Sequence, residues 1–293
     1  MKQQVYVSWC EGLPQSREAL NIIKDSGIVS GVEVRPSSQE EIALIKSAGL
    51  KVSLHQLPPK FRLGLADLNF IKFFETEHGI EVLESIRNSD SPTVGFHLSA
   101  FESSFSDEQD LLETVANNLF SLDAKINKNV LDMKNVIVES QPLRGSNIFK
   151  RRLTDPLFIK SILELSGLKS VASSGYLLDT SHNFITAKDK IRRGLFLGSV
   201  SEYFNDLVNN LSGKIYQLHI NVPSKVLGFY FDSHRTFKKG DKLSEEILDL
   251  TKSVIQASPE LKVITLEMTT GMEPVLHAKE MVNQTEFLLN RLA

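Results

Sequence analysis

Eight short runs rich in β-branched and apolar residues recur along the chain, separated by segments whose apolar residues repeat every three to four positions. The runs are VYVSW (5–9), GVEVRP (31–36), KVSLHQ (51–56), TVGFHLS (93–99), NVIVESQP (135–142), GYLLDTSH (175–182), IYQLHINVP (215–223) and VITLEMT (263–269). The helical segments are 16–27, 37–49, 106–126, 155–167, 200–213, 244–256 and 273–292. Ser16 is an expected N-cap with Gly27 as a stop, and Ser37 to Glu40 forms a Ser-x-x-Glu capping pattern. Strands that alternate with helices pair in parallel, because each crossover needs a helix to bring the chain back. Eight such strands fit a closed (β/α)8 TIM barrel, an α/β fold, read here as one domain over residues 1–293. The runs are nearly continuous in apolar residues, as a sheet covered on both faces requires. An open doubly wound sheet is the rival, but it would normally carry a GxGxxG turn, and none is present.

With 41% hydrophobic residues in 293, the chain can bury a large core. A net charge of -3 argues against a dedicated nucleic-acid binder. Cys10 is the only cysteine, which rules out an internal disulfide and a thiolate metal cluster; a buried, inert thiol is expected. There is no run of about 18 apolar residues for a membrane helix, and MKQQVYVSW lacks a secretory h-region, so a cytoplasmic protein without a membrane partner is expected.

The strand ends carry the chemistry. KVSLHQ ends at His55, TVGFHLS at His97, NVIVESQP at Glu139, GYLLDTSH at Asp179 and His182, IYQLHINVP at His219, and VITLEMT at Glu267. The loop after the seventh strand adds Asp232 and His234. In a barrel these ends converge on one face. Four carboxylates crowded there would repel one another unless cations neutralised them. Oxygen and imidazole donors without thiolates suit zinc, iron or manganese. Nine donors exceed what one ion with an open position uses, so two or three divalent ions are expected, with Glu139 bridging. Glu139, Asp179 and His219 are the expected catalytic residues. Glu33 and Arg35 share a strand face and are candidate substrate contacts, or else a salt-bridged interior pair. Gln141, Asn183, Asn221 and Arg235 are further candidate substrate contacts. His78 is read as a cap or surface residue, and His277 as structural. Irregular stretches at 58–68, 143–155 and 223–242 follow strand ends on the same face, where long loops carry function.

The ordered set His, His, Glu, Asp-x-x-His, His, Asp-x-His, Glu resembles the xylose-isomerase-like TIM barrels that hold several metals, over most of residues 28–270. Two branches share it. DTSHNF, LHINVPS, DSHRTF and TLEM look like endonuclease IV, a three-zinc enzyme that cuts abasic DNA. GVEVRP, SLHQ, HLS, VESQP, LLDTSHNFITA and LHINV followed by FDSH look like the multinuclear non-heme iron oxidases, which modify ribosomally made peptides, often at cysteine. SLHQ, FHLSAF and TDPLFIKSILELSG are closer to the second branch. That family often has asparagine at the position of His182, and its arginine-proline-histidine and Glu-Asn-Tyr words are absent here. The resemblance implies an iron-dependent oxidase acting on a peptide cysteine or small thiol, with a peptide substrate and a recognition partner. The alternatives are a phosphodiesterase on abasic DNA and a sugar isomerase or epimerase. Nucleic acid is a partner only in the phosphodiesterase case, where Lys150-Arg151-Arg152, Lys188 to Arg193 and Arg235 to Lys239 would track phosphates.

Overall fold

The computed structural model describes residues 3–9, 16–35, 39–57, 61, 63–99, 105–128, 132–143, 148–168, 172–269 and 272–292. Cys10, the capping pattern at Ser37, and parts of the 58–68 and 143–155 stretches lie outside the described residues.

Eight parallel strands close into a barrel. They are β1 (Gln4–Ser8), β2 (Gly31–Val34), β3 (Lys51–His55), β4 (Thr93–Leu98), β5 (Asn135–Ser140), β6 (Gly175–Asp179), β7 (Ile215–Ile220) and, after an inserted hairpin, β10 (Val263–Glu267). Neighbouring strands pair in chain order, and β1 closes on β10 with Gln4 opposite Val263 and Ser8 opposite Glu267. Helices α1 (Arg17–Asp25), α2 (Gln39–Ser47), α5 (Glu108–Asn127), α7 (Pro156–Gly167), α9 (Val200–Asn210), α10 (Lys242–Ala257) and α11 (Pro274–Leu292) fall where the three-to-four spacing predicts them. Ser16 caps α1 by accepting the Ala19 N–H, and Asp155 caps α7 ahead of a proline in the first turn. Gly27 and Gly49 leave their helices at φ +67° and +80°, a region glycine enters without a Cβ penalty. Among the described residues, no helix is long and apolar enough to cross a membrane.

The structure corrects the sequence reading in three places. First, the crossover after β3 contains α3 (Phe70–Phe73) and α4 (Glu77–Arg87), which the spacing did not reveal; short α3 and polar EHGIE blur the period. Second, the sixth run is not strand to His182. β6 stops at Asp179, whose carboxylate accepts the His182 N–H at 2.6 Å and so starts α8 (Thr180–Arg192), with α6 (Ile148–Arg152) the short helix before α7. The helix start is hidden because its first turn, Thr180 to Asn183, is polar but as buried as the strand it follows, so no amphipathic period appears. Third, the seventh run ends at Ile220, and 223–242 is not an irregular loop. Val222–Val226 (β8) and Phe229–Arg235 (β9) form an antiparallel hairpin beside the barrel. Its two-residue turn, Leu227-Gly228, has φ +50° and +85°, the left-handed pair that suits strand twist. Pro223 and the polar residues around it masked these strands from a pattern-based reading.

Most of the apolar core lies between the strands and the helical ring. The barrel interior differs: among the described residues its separate apolar cluster is Ile137, Leu177 and Tyr216. Above it, side chains from non-adjacent strands meet through polar groups. Thr93 of β4 donates to Gln217 Oε1 of β7 at 2.7 Å, and Gln217 Nε2 donates to Glu33 Oε2 of β2 at 2.6 Å. Ser53 Oγ donates to the same Glu33 oxygen at 3.2 Å. This hydrogen-bonded polar layer is the floor on which the strand-end residues stand.

Candidate metal centre

All nine strand-end and hairpin residues singled out from the sequence meet at the C-terminal face of the barrel, and Glu33 joins them from below. They form four groups, in each of which the donor atoms lie within 4.8 Å of one another: three that share members (Glu33, His55, His219 and Glu267; His55, His97 and Glu139; Glu139, Asp179 and His219) and a separate one, His182, Asp232 and His234.

Parallel strands of matched register place these side chains. His97 pairs with Glu139 across β4 and β5, and Asp179 with His219 across β6 and β7. Gly95 makes room for His55, since a Cβ there would lie 2.8 Å from its ring carbon. Glu139 sits at the centre of one half. Its Oε2 is 2.5 Å from His55 Nε2 and 3.1 Å from His97 Nε2, and its Oε1 is 2.8 Å from His182 Nδ1. His219 sits at the centre of the other, with Nε2 3.0 Å from Glu33 Oε1 and Nδ1 3.2 Å from Glu267 Oε1. The hairpin closes the third side: Asp232 Oδ2 is 3.0 Å from His182 Nε2, and Asp232 Oδ1 is 3.2 Å from His234 Nε2. Asp179 and His219 are fully buried, and Glu139 is 1% exposed.

Charge dictates the protonation. Burial alone would raise the Glu139 carboxyl, but His97, His55 and His182 outweigh it and hold the group well below the carboxylate range. Burial would lower His182, yet Asp179, Glu139 and Asp232 push it well above its ordinary value. His219 is raised in the same way by Glu33 and Glu267 against its burial. His234 is raised to about 9, chiefly by Glu267 and Asp232 against burial. Asp179 goes the other way, pushed up to about 7 by burial and by the Glu267, Glu139 and Asp232 charges, with His182 opposing.

A cation set fits these residues. Glu33, Glu139, Asp179, Asp232 and Glu267 bring five negative charges when ionised, and two or three divalent ions carry a matching positive charge. Glu139 Oε1, His219 Nδ1 and Asn221 Oδ1 are buried and accept or donate no well-formed hydrogen bond, the state of donor atoms that await a partner. The surrounding groups fix the ligands' orientation: Asn221 Nδ2 donates to Asp179 Oδ2 at 2.8 Å and to Glu267 Oε2 at 3.2 Å, and Gln141 Nε2 lies 2.8 Å from His97 Nδ1.

The remaining sequence candidates divide. Glu33 and Arg35 are not a salt-bridged pair: Glu33 faces His219 on the floor, while Arg35 is half-buried beside Gln56. Asn183 lies below the donor cluster, where its amide donates to the Asp179 carbonyl at 2.8 Å. Arg235 reaches Asp241 at 3.5 Å, away from the ligand row. His277 is buried edge-on against Trp9, and His78 is exposed on α4. Sequence reasoning missed Gln217 and Gln56. Gln217 could have been found, because it stands two residues before His219 and so shares its face.

Several basic residues of these segments are paired with acids. Arg152 pairs with Glu108 at 2.6 Å, Lys188 with Glu246 at 3.1 Å, and Arg192 and Arg193 both with Asp189. By contrast, the hairpin that delivers Asp232 and His234 exposes Val226, Leu227, Phe229 and Phe231.

No family model matches the chain, and no curated protein matches it. Solved structures do. A D-tagatose 3-epimerase-like protein superimposes with a TM-score of 0.61 at 15% identity, over 99% of this chain and 100% of that one. The IolI protein with a bound zinc atom gives 0.58 at 12% identity, over 99% and 98%. Endonuclease IV from Thermus thermophilus gives 0.56 at 13% identity, over 97% and 99%. These are xylose-isomerase-like TIM barrels, and at such identities the likeness establishes the fold alone.

Proposed function

We propose that this chain is a metal-dependent enzyme whose barrel mouth holds two or three iron ions and which oxidises a thiol, on a peptide cysteine or a small molecule. The observation that carries the multi-ion reading is the number of donor groups: Glu139 belongs to two of them, and His182, Asp232 and His234 form a separate one that a single-ion sugar epimerase would leave idle. His55, His97 and Glu139 would hold one ion; His182, Asp232 and His234 a second; His219 and Glu267, with Asp179 beside them, a third. Bound iron would supply the redox and dioxygen chemistry.

The chain's own residues set the conditions. Burial on the strand ends keeps bulk water from the reacting groups. Asn221 holds the Asp179 and Glu267 carboxylates apart and oriented. Asp179 is held at both oxygens, Oδ1 accepting the His182 N–H at 2.6 Å and Oδ2 the Asn221 amide at 2.8 Å, which fixes its direction in the cluster. Support for iron comes from the SLHQ, HLS, VESQP and LLDTSHNFITA words. Support for a peptide substrate, and for a recognition partner, comes from the apolar hairpin beside the ligands and the acid-paired basic residues, which suit a chain of side chains better than a phosphate backbone.

Metal analysis of protein purified without air or added metal tests this. Two or three irons per chain are expected, with absorption that changes on exposure to air. Zinc at that stoichiometry would replace the reading with phosphodiester hydrolysis, and a single manganese with sugar epimerisation. A His219→Ala variant that stayed metal-replete and active would also end the assignment.

A further inference from the structure

We propose that Arg35 is the receptor for a carboxylate of the substrate, positioned by Gln56 at the rim of the metal centre. The inference takes from the reading above only that the reacting group of the substrate lies at the ligand row.

Arg35 follows β2 on the same face of the barrel as the ligands and is half-buried. Five other arginines find carboxylates, Arg152, Arg192, Arg193, Arg235 and Arg291, while Arg17 and Arg87 donate to backbone carbonyls. Among the described residues, Arg35 forms none. Its partner is an amide. With the Gln56 side chain turned to satisfy both neighbours, its oxygen accepts from Arg35 Nε at 3.0 Å and from Nη2 at 3.1 Å, while its nitrogen lies 3.0 Å from His97 Nδ1. One edge of the guanidinium is thereby anchored, and Nη1 has no hydrogen-bond partner among the described residues.

Gln56 is held for this task. Its backbone sits at φ +51°, a left-handed conformation a glutamine adopts at a cost, pinned by an N–H bond to the Gly95 carbonyl at 2.7 Å. Strained backbone of this kind collects where a side chain has to be aimed. The strain aims one amide at two targets, a donor residue of the metal centre and a cation without a counter-charge. A half-buried charge is costly until it is paired. The open planar edge matches the two oxygens of a carboxylate, which a guanidinium takes in parallel bonds. Because the same amide touches His97, the bound carboxylate would stand one side chain away from the ligand row, and substrates would be acids whose reacting group lies a short chain from the carboxylate.

The test uses the metal-loaded full chain and a ladder of straight ω-mercaptocarboxylic acids of three to six carbons, each beside its primary amide. Binding is followed by calorimetry in wild type, Arg35→Gln and Arg35→Lys. The wild type is expected to bind the acids about tenfold or more tighter than the amides, with a peak at one chain length, as a charge-assisted bond implies. Arg35→Gln should erase that preference while binding the amides as before, and Arg35→Lys should restore part of it. Equal binding of acids and amides along the whole ladder, no binding of either, or a preference that survives Arg35→Gln overturns the proposal. Metal content of the same samples reports separately on the centre: an acid preference in protein that takes up no metal would keep the Arg35 assignment and remove the metal reading.

Discussion

The two sides of the ligand cluster are built differently. On one side His55, His97, Glu139, His219 and Glu267 stand on barrel strands, each held by parallel neighbours and by the polar floor of Glu33, Gln217 and Ser53. On the other, Asp232 and His234 come from β9, which pairs only with β8, and their side chains are 19% and 22% exposed. His234 itself has φ +44°, and the turn that carries the hairpin has Leu227 at 92% exposure. The strand side is paired along both edges and suits holding; the hairpin side is paired along one edge and more exposed, which suits admission. Proteins draw the moving parts of a site from such low-stability elements.

The largest effect should come from breaking the strand side. Glu139→Ala removes the carboxylate shared by three histidines, and we expect loss of most bound metal and all activity, measured by metal analysis and turnover. If the variant keeps its metal, Glu139 is not the centre of that half. Gly95→Val should also act strongly, since its branched side chain would collide with the His55 ring. Overpacking of this kind costs about 1–3 kcal/mol, read as a lower melting temperature; an unchanged melting temperature would show that His55 moves freely. On the hairpin side, His234→Ala should release one ion and spare the rest, so that brief chelation of wild type and this variant yields the same residual stoichiometry.

The pH dependence separates the two protonation regimes. In metal-free protein the Glu139 and Glu33 carboxyls are lowered on folding, so their contribution is present above about 4.3 and is lost as pH falls. His182 and His219 are raised, so theirs is complete below about 6.5 and is lost as pH rises through their folded values. Asp179, raised to about 7, takes stability away as pH rises from about 4 to 7 and nothing further above that, which shifts the maximum toward acid. Metal-free protein should therefore melt highest near pH 5–6 and lower at pH 9. Metal-loaded protein should gain stability from pH 5 to 7, because cations compete with protons for the same atoms. Parallel curves for the two forms would mean that the cluster does not bind the added metal. The smallest effect is expected at Leu227→Gly, which relieves a left-handed leucine worth about 1 kcal/mol. Stability should rise slightly; a fall in activity at the same time would assign the exposed hairpin tip to substrate or partner.

Much of the ligand row was legible because strand ends can be read one at a time. KVSLHQ, TVGFHLS, NVIVESQP and VITLEMT each show a polar donor where an apolar run stops, and a parallel barrel puts all such stops on one face. Asp179 and His182 were legible as donors but not as a strand end and a first helical turn, because the first turn, Thr180 to Asn183, is polar yet buried and shows no amphipathic period. The hairpin was illegible for a related reason: its strands are short, polar on the face that carries Asp232 and His234, and interrupted by Pro223.

What the sequence by itself determined is therefore the local periodicity, and through it the barrel and the identity of its strand-end donors. What only the tertiary structure decided is who meets whom. Glu33 reaches Gln217 across a separation of 184 residues and faces His219 beside it, while its neighbour Arg35 turns to Gln56 instead. Periodicity acts over a few residues, whereas such meetings depend on closure of the whole barrel, which brings β2 and β7 to face each other across a polar interior that no local pattern encodes.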